Sequence, residues 1–254
     1  MRRDYSRLPV LTIDQGNSSS KAVVWQGEEA LESIRLEALG IEGLLPVMEG
    51  RDFDGCAFCS VAHNDAKVLE TLRRMLDGCL VVMTPSLPLP IKVTYGSRAT
   101  LGADRVAAAA GAASLFPSES LLGVDAGTAM TLDFVSGKAE FLGGNISPGM
   151  KMRFDSLHEA TSRLPQISAE GPLPEYGEDT ETAIRCGVIH GLASEITGTF
   201  SKARALCGAS RVVLTGSDAS VLLPMLEREG IPTVVEPNLV GRGLLNIYEY
   251  NSRL

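Results

Sequence analysis

The chain has 254 residues, 44% hydrophobic and 21% charged, with a formal net charge of −8. That balance belongs to a folded protein with one large or two medium cores and excludes a disordered chain. It also argues against general nucleic-acid binding, which needs a basic footprint, and no apolar run reaches the ~20 residues of a membrane span.

The first stretch to stand out is Leu11-Thr12-Ile13-Asp14-Gln15-Gly16-Asn17-Ser18-Ser19-Ser20-Lys21. Leu8 to Ile13 reads as a short buried strand, and Ala22 to Trp25 as a second one after a polar, glycine-containing turn. This is a strand-turn-strand hairpin, not the strand-to-helix entry of a Walker loop. Such a tip offers backbone N–H groups and hydroxyls to phosphate oxygens. Asp14 adds a carboxylate able to hold hydrated Mg²⁺. An ordinary hairpin with an Asx-type turn is the alternative.

Strand-like runs follow at Glu29–Leu36, Ile41–Met48 and Cys56–Val61. Cys56 and Cys59 form a CxxC, but no second pair or histidine cluster completes a zinc site, so they read as small buried hydrophobes. Five cysteines in all make no disulfide framework. Asp65 is expected to cap a helix carrying Val68, Leu69, Leu72, Met75 and Leu76. Leu80–Met83 reads as a strand and Thr84–Pro90 as a proline-stiffened loop approaching the site. The alanine-rich stretch from Val106 is a strong helix former. Asp104 and Arg105 stand in its first turn, and taken locally they read as a dipole-compensating acid beside a solvated arginine.

Leu121 to Val135 then repeats the opening grammar: apolar run, Asp125, any residue, Gly127, Thr128, apolar run. The two aspartates lie 111 positions apart. That spacing predicts two similar α/β halves, each presenting one acid-tipped hairpin to a shared cleft. Gly143-Gly144 reads as a turn leading into a helix through Leu157 to Leu164. Residues 166–178 form a Pro/Gly-rich excursion, read as mobile. A long amphipathic helix is expected from Thr180 to about Leu206. Arg211–Thr215, a helix through Leu226, Ile231–Val235 and a helix from Val240 complete a βαβα pattern. His63, His158 and His190 stand apart from every motif. The charged start Met1–Tyr5 lacks an apolar signal core, so a cytoplasmic location is expected.

Taken together these pieces resemble the type III pantothenate kinases, a branch of the acetate and sugar kinase, Hsp70 and actin superfamily. The resemblance runs nearly end to end. It rests on Asp14-x-Gly16-Asn17-Ser18, Leu101-Gly102-x-Asp104-Arg105, Asp125-x-Gly127-Thr128-Ala129-x-Thr131 and Gly143-Gly144-x-Ile146-x-Pro148-Gly149. It continues through Thr161-x-x-Leu164-Pro165, Thr182-Ala183-Ile184-x-x-Gly187, Thr215-Gly216 and Leu239-x-Gly241-x-Gly243-Leu244.

The resemblance implies two ribonuclease H-like (actin-like ATPase) α/β domains, 1–115 and 116–254, with a cleft between them. The implied activity is ATP-dependent phosphorylation of pantothenate, the first step of coenzyme A biosynthesis. Asp14, Gln15, Gly16, Asn17, Ser18, Ser19, Ser20 and Lys21 would form the first phosphate loop, with Asp14 near Mg²⁺ through water. Thr128 would belong to the second loop, and Asp125 would help hold a monovalent cation, K⁺ or NH₄⁺. Tyr95, Gly102, Ala103, Asp104, Arg105 and Thr182 would line the pantothenate pocket, while Gly143, Gly144 and Gly216 would sit nearer the adenosine. A homodimer is implied, with no nucleic-acid or membrane partner.

Chemistry read from the residues agrees, because phosphoryl transfer needs positioning, cations and one group to take the hydroxyl proton; Asp104 suits that role. The chain departs from the family pattern at Ser18, at Ser97-Arg98 and at Ser217, where Thr, Asn-Pro and Gly are frequent. Two other readings are a nucleotide-binding regulatory or accessory protein of the same fold without turnover, and another small-molecule kinase of the superfamily. A retained Asp104 speaks against the first, and phosphorylation of a sugar or acetate would mark the second.

Overall fold

A computed structural model describes residues 8–61, 66–76 and 79–253. The expected cap at Asp65, His63 and the charged start Met1–Tyr5 lie outside the described residues. In chain order the elements are β1 (Val10–Gln15), β2 (Ser20–Gln26), β3 (Glu29–Leu36), α1 (Ile41–Met48), β4 (Gly55–Ser60) and α2 (Ala66–Met75). They continue with β5 (Leu80–Val82), β6 (Lys92–Val93), α3 (Ala103–Leu115), β7 (Leu121–Ala126), β8 (Ala129–Ser136) and β9 (Glu140–Pro148). The last are α4 (Met150–Glu159), α5 (Thr180–Cys207), β10 (Arg211–Thr215), α6 (Ala219–Arg228), β11 (Thr233–Val235) and α7 (Leu239–Asn251).

The strands sort into two sheets that share one pattern, β3-β2-β1-β4-β5 and β9-β8-β7-β10-β11, the second with β6 added beyond β9. In each, the first hairpin is antiparallel, and the next two strands run parallel to its leading strand after helical crossovers. The two halves are thus similar α/β domains. The repeat of Asp14 and Asp125 reflects equivalent positions, each at the end of the central strand.

The division between the halves differs from a single cut at 115/116. One compact unit comprises the described residues up to Pro117, Ala139–Phe141, and Asn238 onward; the other comprises Ser118–Lys138 and Leu142–Pro237. Packing is the reason that α7 returns to the first unit. It lies along α3 and against β1, with backbones so close that a Cβ on Gly243 would fall 1.7 Å from the Ala107 carbonyl oxygen. Gly111 answers from α3, where a Cβ would come 2.4 Å from the Leu239 carbonyl. Further along, Gly241 faces Thr12 and the Trp25 ring, and buried Trp25 donates its indole N–H to Thr12 Oγ1 at 2.8 Å. The core of this unit gathers Leu11, Ile13, Val24, Leu44, Phe58 and Leu72.

Two stretches fold otherwise than their sequence suggests. Ile41–Met48 is a helix, not a strand: Leu44, Val47 and Met48 are buried at helical spacing while Leu45 is 42% exposed. Gly143-Gly144 lies inside β9 and not in a turn. Gly144 is needed there because a Cβ would strike the Leu132 carbonyl at 2.2 Å and the Asp133 carboxylate at 2.4 Å. The helix that follows ends at Glu159, short of Leu164.

In the second unit α5 runs 28 residues, opened by a capping box between Asp179 and Thr182 and closed by Gly208 at φ 72°. Residues 166–178 have no regular structure but are tied down. Buried Arg185 donates to the Ser168 and Pro172 carbonyls at 3.1 Å each, and the Cys186 thiol donates to the Pro174 carbonyl.

Candidate active site

Strand β1 carries apolar side chains into the core and delivers Asp14 at its end, half-buried. Register sets its neighbours: Lys21 lies opposite on β2 and Cys59 beside it on β4. The Cys59 thiol, fully buried, donates to Asp14 Oδ1 at 3.2 Å. Burial pushes the Asp14 carboxyl up to about 6, and the neighbouring charge of Asp104 pushes the same way against the Cys59 hydrogen bond and Lys21. Burial and the adjoining Asp14 drive the Cys59 thiol well above its usual range, so it stays protonated.

Past Asp14 the chain turns at Gly16, whose N–H donates to the Ser19 carbonyl at 3.0 Å. Asn17 and Ser18 stand exposed at the tip, and Ser20 is buried in β2. Arg35, on β3, donates through Nε to Ser19 Oγ at 3.1 Å. Gln15 accepts the Val61 N–H on its backbone carbonyl, while its side-chain Oε1 is buried without a hydrogen-bond partner among the described residues.

Asp104 occupies the first turn of α3, just after Gly102 and Ala103. Its Oδ1 accepts the Arg105 backbone N–H at 2.9 Å. Burial raises its carboxyl above the ordinary range, opposed by that hydrogen bond and by the Arg105 charge. Arg105 is not solvated, as its local sequence suggests; it is 5% exposed. Its guanidinium sits 5.9 Å from the Tyr95 ring centre and 5.6 Å from that of Phe141. The two rings meet edge to face at 6.0 Å. Thr94 fixes Phe141 by donating both its N–H and its hydroxyl to the Phe141 carbonyl. The first unit therefore brings Asp14, Lys21, Cys59, Asp104, Arg105 and Tyr95 into one electrostatic neighbourhood.

The second unit builds its own tip. Asp125 ends β7, opposite Thr131 on β8 and beside Thr215 on β10. Gly127 N–H donates to the Ala129 carbonyl, and Gly149 N–H to the Thr128 carbonyl at 3.1 Å. A Cβ on Gly149 would lie 2.0 Å from the Gly127 carbonyl, so α4 begins hard against the tip. Gly216, at φ +96°, presses on Ala126, and Asp218 N–H donates to the Ala126 carbonyl at 2.9 Å. Two helix N-termini, those of α4 and α6, thus start beside this tip with no side-chain cap bond, a favourable setting for an anion. Thr182 also lies in this unit, 8% exposed, and its hydroxyl serves the capping box through Glu178, Asp179 and the Asp179 carboxylate.

A sequence profile described as Type III pantothenate kinase matches residues 10–202. A Porphyromonas gingivalis (strain W83) protein named Type III pantothenate kinase is 43% identical over 95% of this chain and 98% of its own length. The chain belongs to the type III pantothenate kinase family. It is an enzyme of the kinase class, a phosphotransferase, and the family activity is pantothenate phosphorylation in coenzyme A biosynthesis. Among solved structures, a Campylobacter jejuni protein provisionally assigned to the Baf family of transcriptional activators has a TM-score of 0.63 at 22% identity, covering 96% of this chain and all of its own. MreB 5 of Spiroplasma citri, bound to AMPPNP, gives 0.51 at 10%, covering 98% of each chain. Those likenesses concern the actin-like ATPase fold alone.

For this pantothenate kinase the donor set fits a metal that arrives with the nucleotide. No group of three or more His, Cys, Asp or Glu side chains forms a metal cage among the described residues. Asp14, desolvated and pressed by a second acid, is a single carboxylate that gains from a nearby cation, which suits magnesium shared with phosphate oxygens. Asp125 carries a carboxylate at the tip of the second unit. His158 donates through Nδ1 to the Leu164 carbonyl at 2.8 Å. No helix among the described residues is long and apolar enough to cross a membrane.

Two participants escaped the sequence reading. Cys59 read as core, and only the parallel register of β1 with β4 brings it to Asp14. Phe141 sat in an apparent turn, with nothing local to link it to Arg105 about 36 residues earlier.

Proposed function

We propose that this kinase transfers the γ-phosphoryl group of ATP to the primary hydroxyl of pantothenate, giving 4′-phosphopantothenate, with Asp104 as general base. The observation that carries this is the pairing of two acids of different duty in the first unit, Asp14 on the phosphate-loop hairpin and Asp104 on α3, with Asp104 near enough for its charge to raise the Asp14 carboxyl. As the hydroxyl oxygen forms its bond to phosphorus, the O–H bond breaks and the proton passes to the Asp104 carboxylate. A carboxyl raised above its ordinary range by burial is the better proton acceptor near neutral pH. Arg105, always charged and packed beside the Tyr95 and Phe141 rings, is preorganised to take the substrate carboxylate.

Residues 14–21 serve as the first phosphate loop and Thr128 as part of the second, each set at a glycine-containing hairpin tip. Asp14 holds Mg²⁺ through water, and Asp125 holds K⁺ or NH₄⁺; when bound, these cations offset phosphate charge. Tyr95, Gly102, Ala103 and Thr182 complete the pantothenate pocket. The enzyme works as a cytoplasmic homodimer on pantothenate and ATP.

The test is a coupled assay of ADP release with pantothenate and ATP, with and without K⁺, on the parent and on Asp104→Asn. The parent should turn over only with the monovalent cation. The variant should lose at least about a hundredfold in kcat, the scale of general-base catalysis, while still binding nucleotide. Full activity in the variant removes Asp104 as the base; turnover of a sugar or acetate in place of pantothenate removes the substrate assignment.

A further inference from the structure

Cys59 has no duty in the reaction described above, yet its sulfur is buried directly against the acid of the phosphate loop. We propose that Cys59 is a positioning residue for the kinase reaction: its thiol, donating across the β1–β4 ladder, fixes the Asp14 carboxylate in the orientation from which it serves magnesium-bound nucleotide. This rests on the role given to Asp14 above.

Register, contact and charge carry it. Parallel register sets Cys59 beside Asp14, and the thiol reaches Oδ1 at 3.2 Å. Asp14 stands near another carboxylate, Asp104, so an untethered side chain would swing away from its like-charged neighbour. A thiol is suited to that tether because it is neutral: a lysine or arginine at this point would neutralise Asp14 and compete with the metal, whereas a weak donor selects a rotamer and leaves the charge available.

Burial alone does not bring sulfur to a carboxylate on this strand. Cys56, three residues earlier and equally buried, finds only the Ala57 carbonyl at 3.6 Å. In the second unit the register position matching Cys59 is held by Thr215, beside Asp125 and also buried. Both strand-end acids thus have a neutral side-chain donor at the equivalent place on the parallel neighbour.

The experiment uses the full chain and four variants: Cys59→Ala, Cys59→Ser, Cys56→Ala and Asp14→Asn. ADP binding is measured by calorimetry across a magnesium series, beside steady-state kinetics. Removing the donor should weaken the tightening of ADP by magnesium about tenfold, on the scale of a hydrogen bond to a charged group. The magnesium needed for half-maximal rate should rise in step, with KM for pantothenate within about twofold of the parent. Cys59→Ser should restore the linkage to within about threefold, and Cys56→Ala, an equal loss of buried sulfur, should leave it intact. A parental magnesium linkage in Cys59→Ala overturns the proposal, as does an equal defect in Cys56→Ala or a failure of serine to rescue. If Asp14→Asn itself keeps the linkage, the role of Asp14 falls and takes this inference with it. If Asp14→Asn loses the linkage while Cys59→Ala keeps it, only the inference falls.

Discussion

Replacing Asp14 by asparagine should make the protein more stable and less active, with the gain confined to one pH range. In the folded chain the Asp14 carboxyl titrates at about 6, against an ordinary 3.8, with burial as the main cause. Below 3.8 the group is protonated whether the chain is folded or not, and it contributes no difference. Between 3.8 and 6 the unfolded chain ionises while the folded one holds its proton, so stability falls across that interval and levels off above it, where the folded state carries a desolvated carboxylate. The gap between the two values corresponds to about 3 kcal/mol. Asparagine matches the protonated acid in shape and still offers an oxygen to the Cys59 thiol. The variant should therefore equal the parent near pH 4 and exceed it by up to about 3 kcal/mol at pH 7.5. At 2–4 °C per kcal/mol for a chain of this size, melting should rise by roughly 6–12 °C. Urea and thermal unfolding of both proteins, from pH 4 to 8 in chelator without nucleotide, measure this directly. Contributions of titrating groups away from Asp14 cancel in the difference. A stability gap that is flat with pH, or a variant less stable than the parent at pH 7.5, would refute the assignment of a destabilising buried charge to Asp14.

Arg105→Lys keeps the charge but loses the planar guanidinium beside Tyr95 and Phe141; KM for pantothenate should rise at least about tenfold while KM for MgATP stays within about twofold, and the opposite split in initial-rate kinetics would show that Arg105 serves the nucleotide. Gly243→Ala places a methyl group 1.7 Å from the Ala107 carbonyl and should cost more than about 3 kcal/mol in urea unfolding, or prevent folding. Gly198→Ala, within α5 with nothing inside 4 Å of the added Cβ, should instead stabilise by about 0.5–1 kcal/mol.

Much of this arrangement could be read from residue order. The paired Asp-x-Gly hairpins announce themselves because each alternates apolar strand, small polar tip and apolar strand, and strict pairing between neighbours in sequence needs no distant partner. The 28-residue α5 is legible for the same reason, since its Asp179 cap and Gly208 stop are local signals. Ile41–Met48 misleads because five of its eight residues are apolar, which blurs the difference between a strand and one buried helical face. Gly143-Gly144 misleads because glycine marks two different needs: a turn, or a close approach such as that of Gly144 to Asp133. Arg105 reads as solvated because its aromatic walls come from Tyr95 and Phe141, far apart in the chain. Cys59 needs the register of a parallel pair, which no local pattern encodes.

The placement of α7 also bears on how the molecule is made. Residues 142–237 intervene between the bulk of the first unit and the helix that covers α3 and β1. While the ribosome is still translating that interval, the groove beside Gly111 has no occupant, and the earlier-born unit must wait for its closing piece. The later-born unit needs almost nothing from outside 118–237. Order of completion should thus run opposite to order of synthesis, and a nascent chain halted at Pro237 should protect α5 from protease before it protects α3.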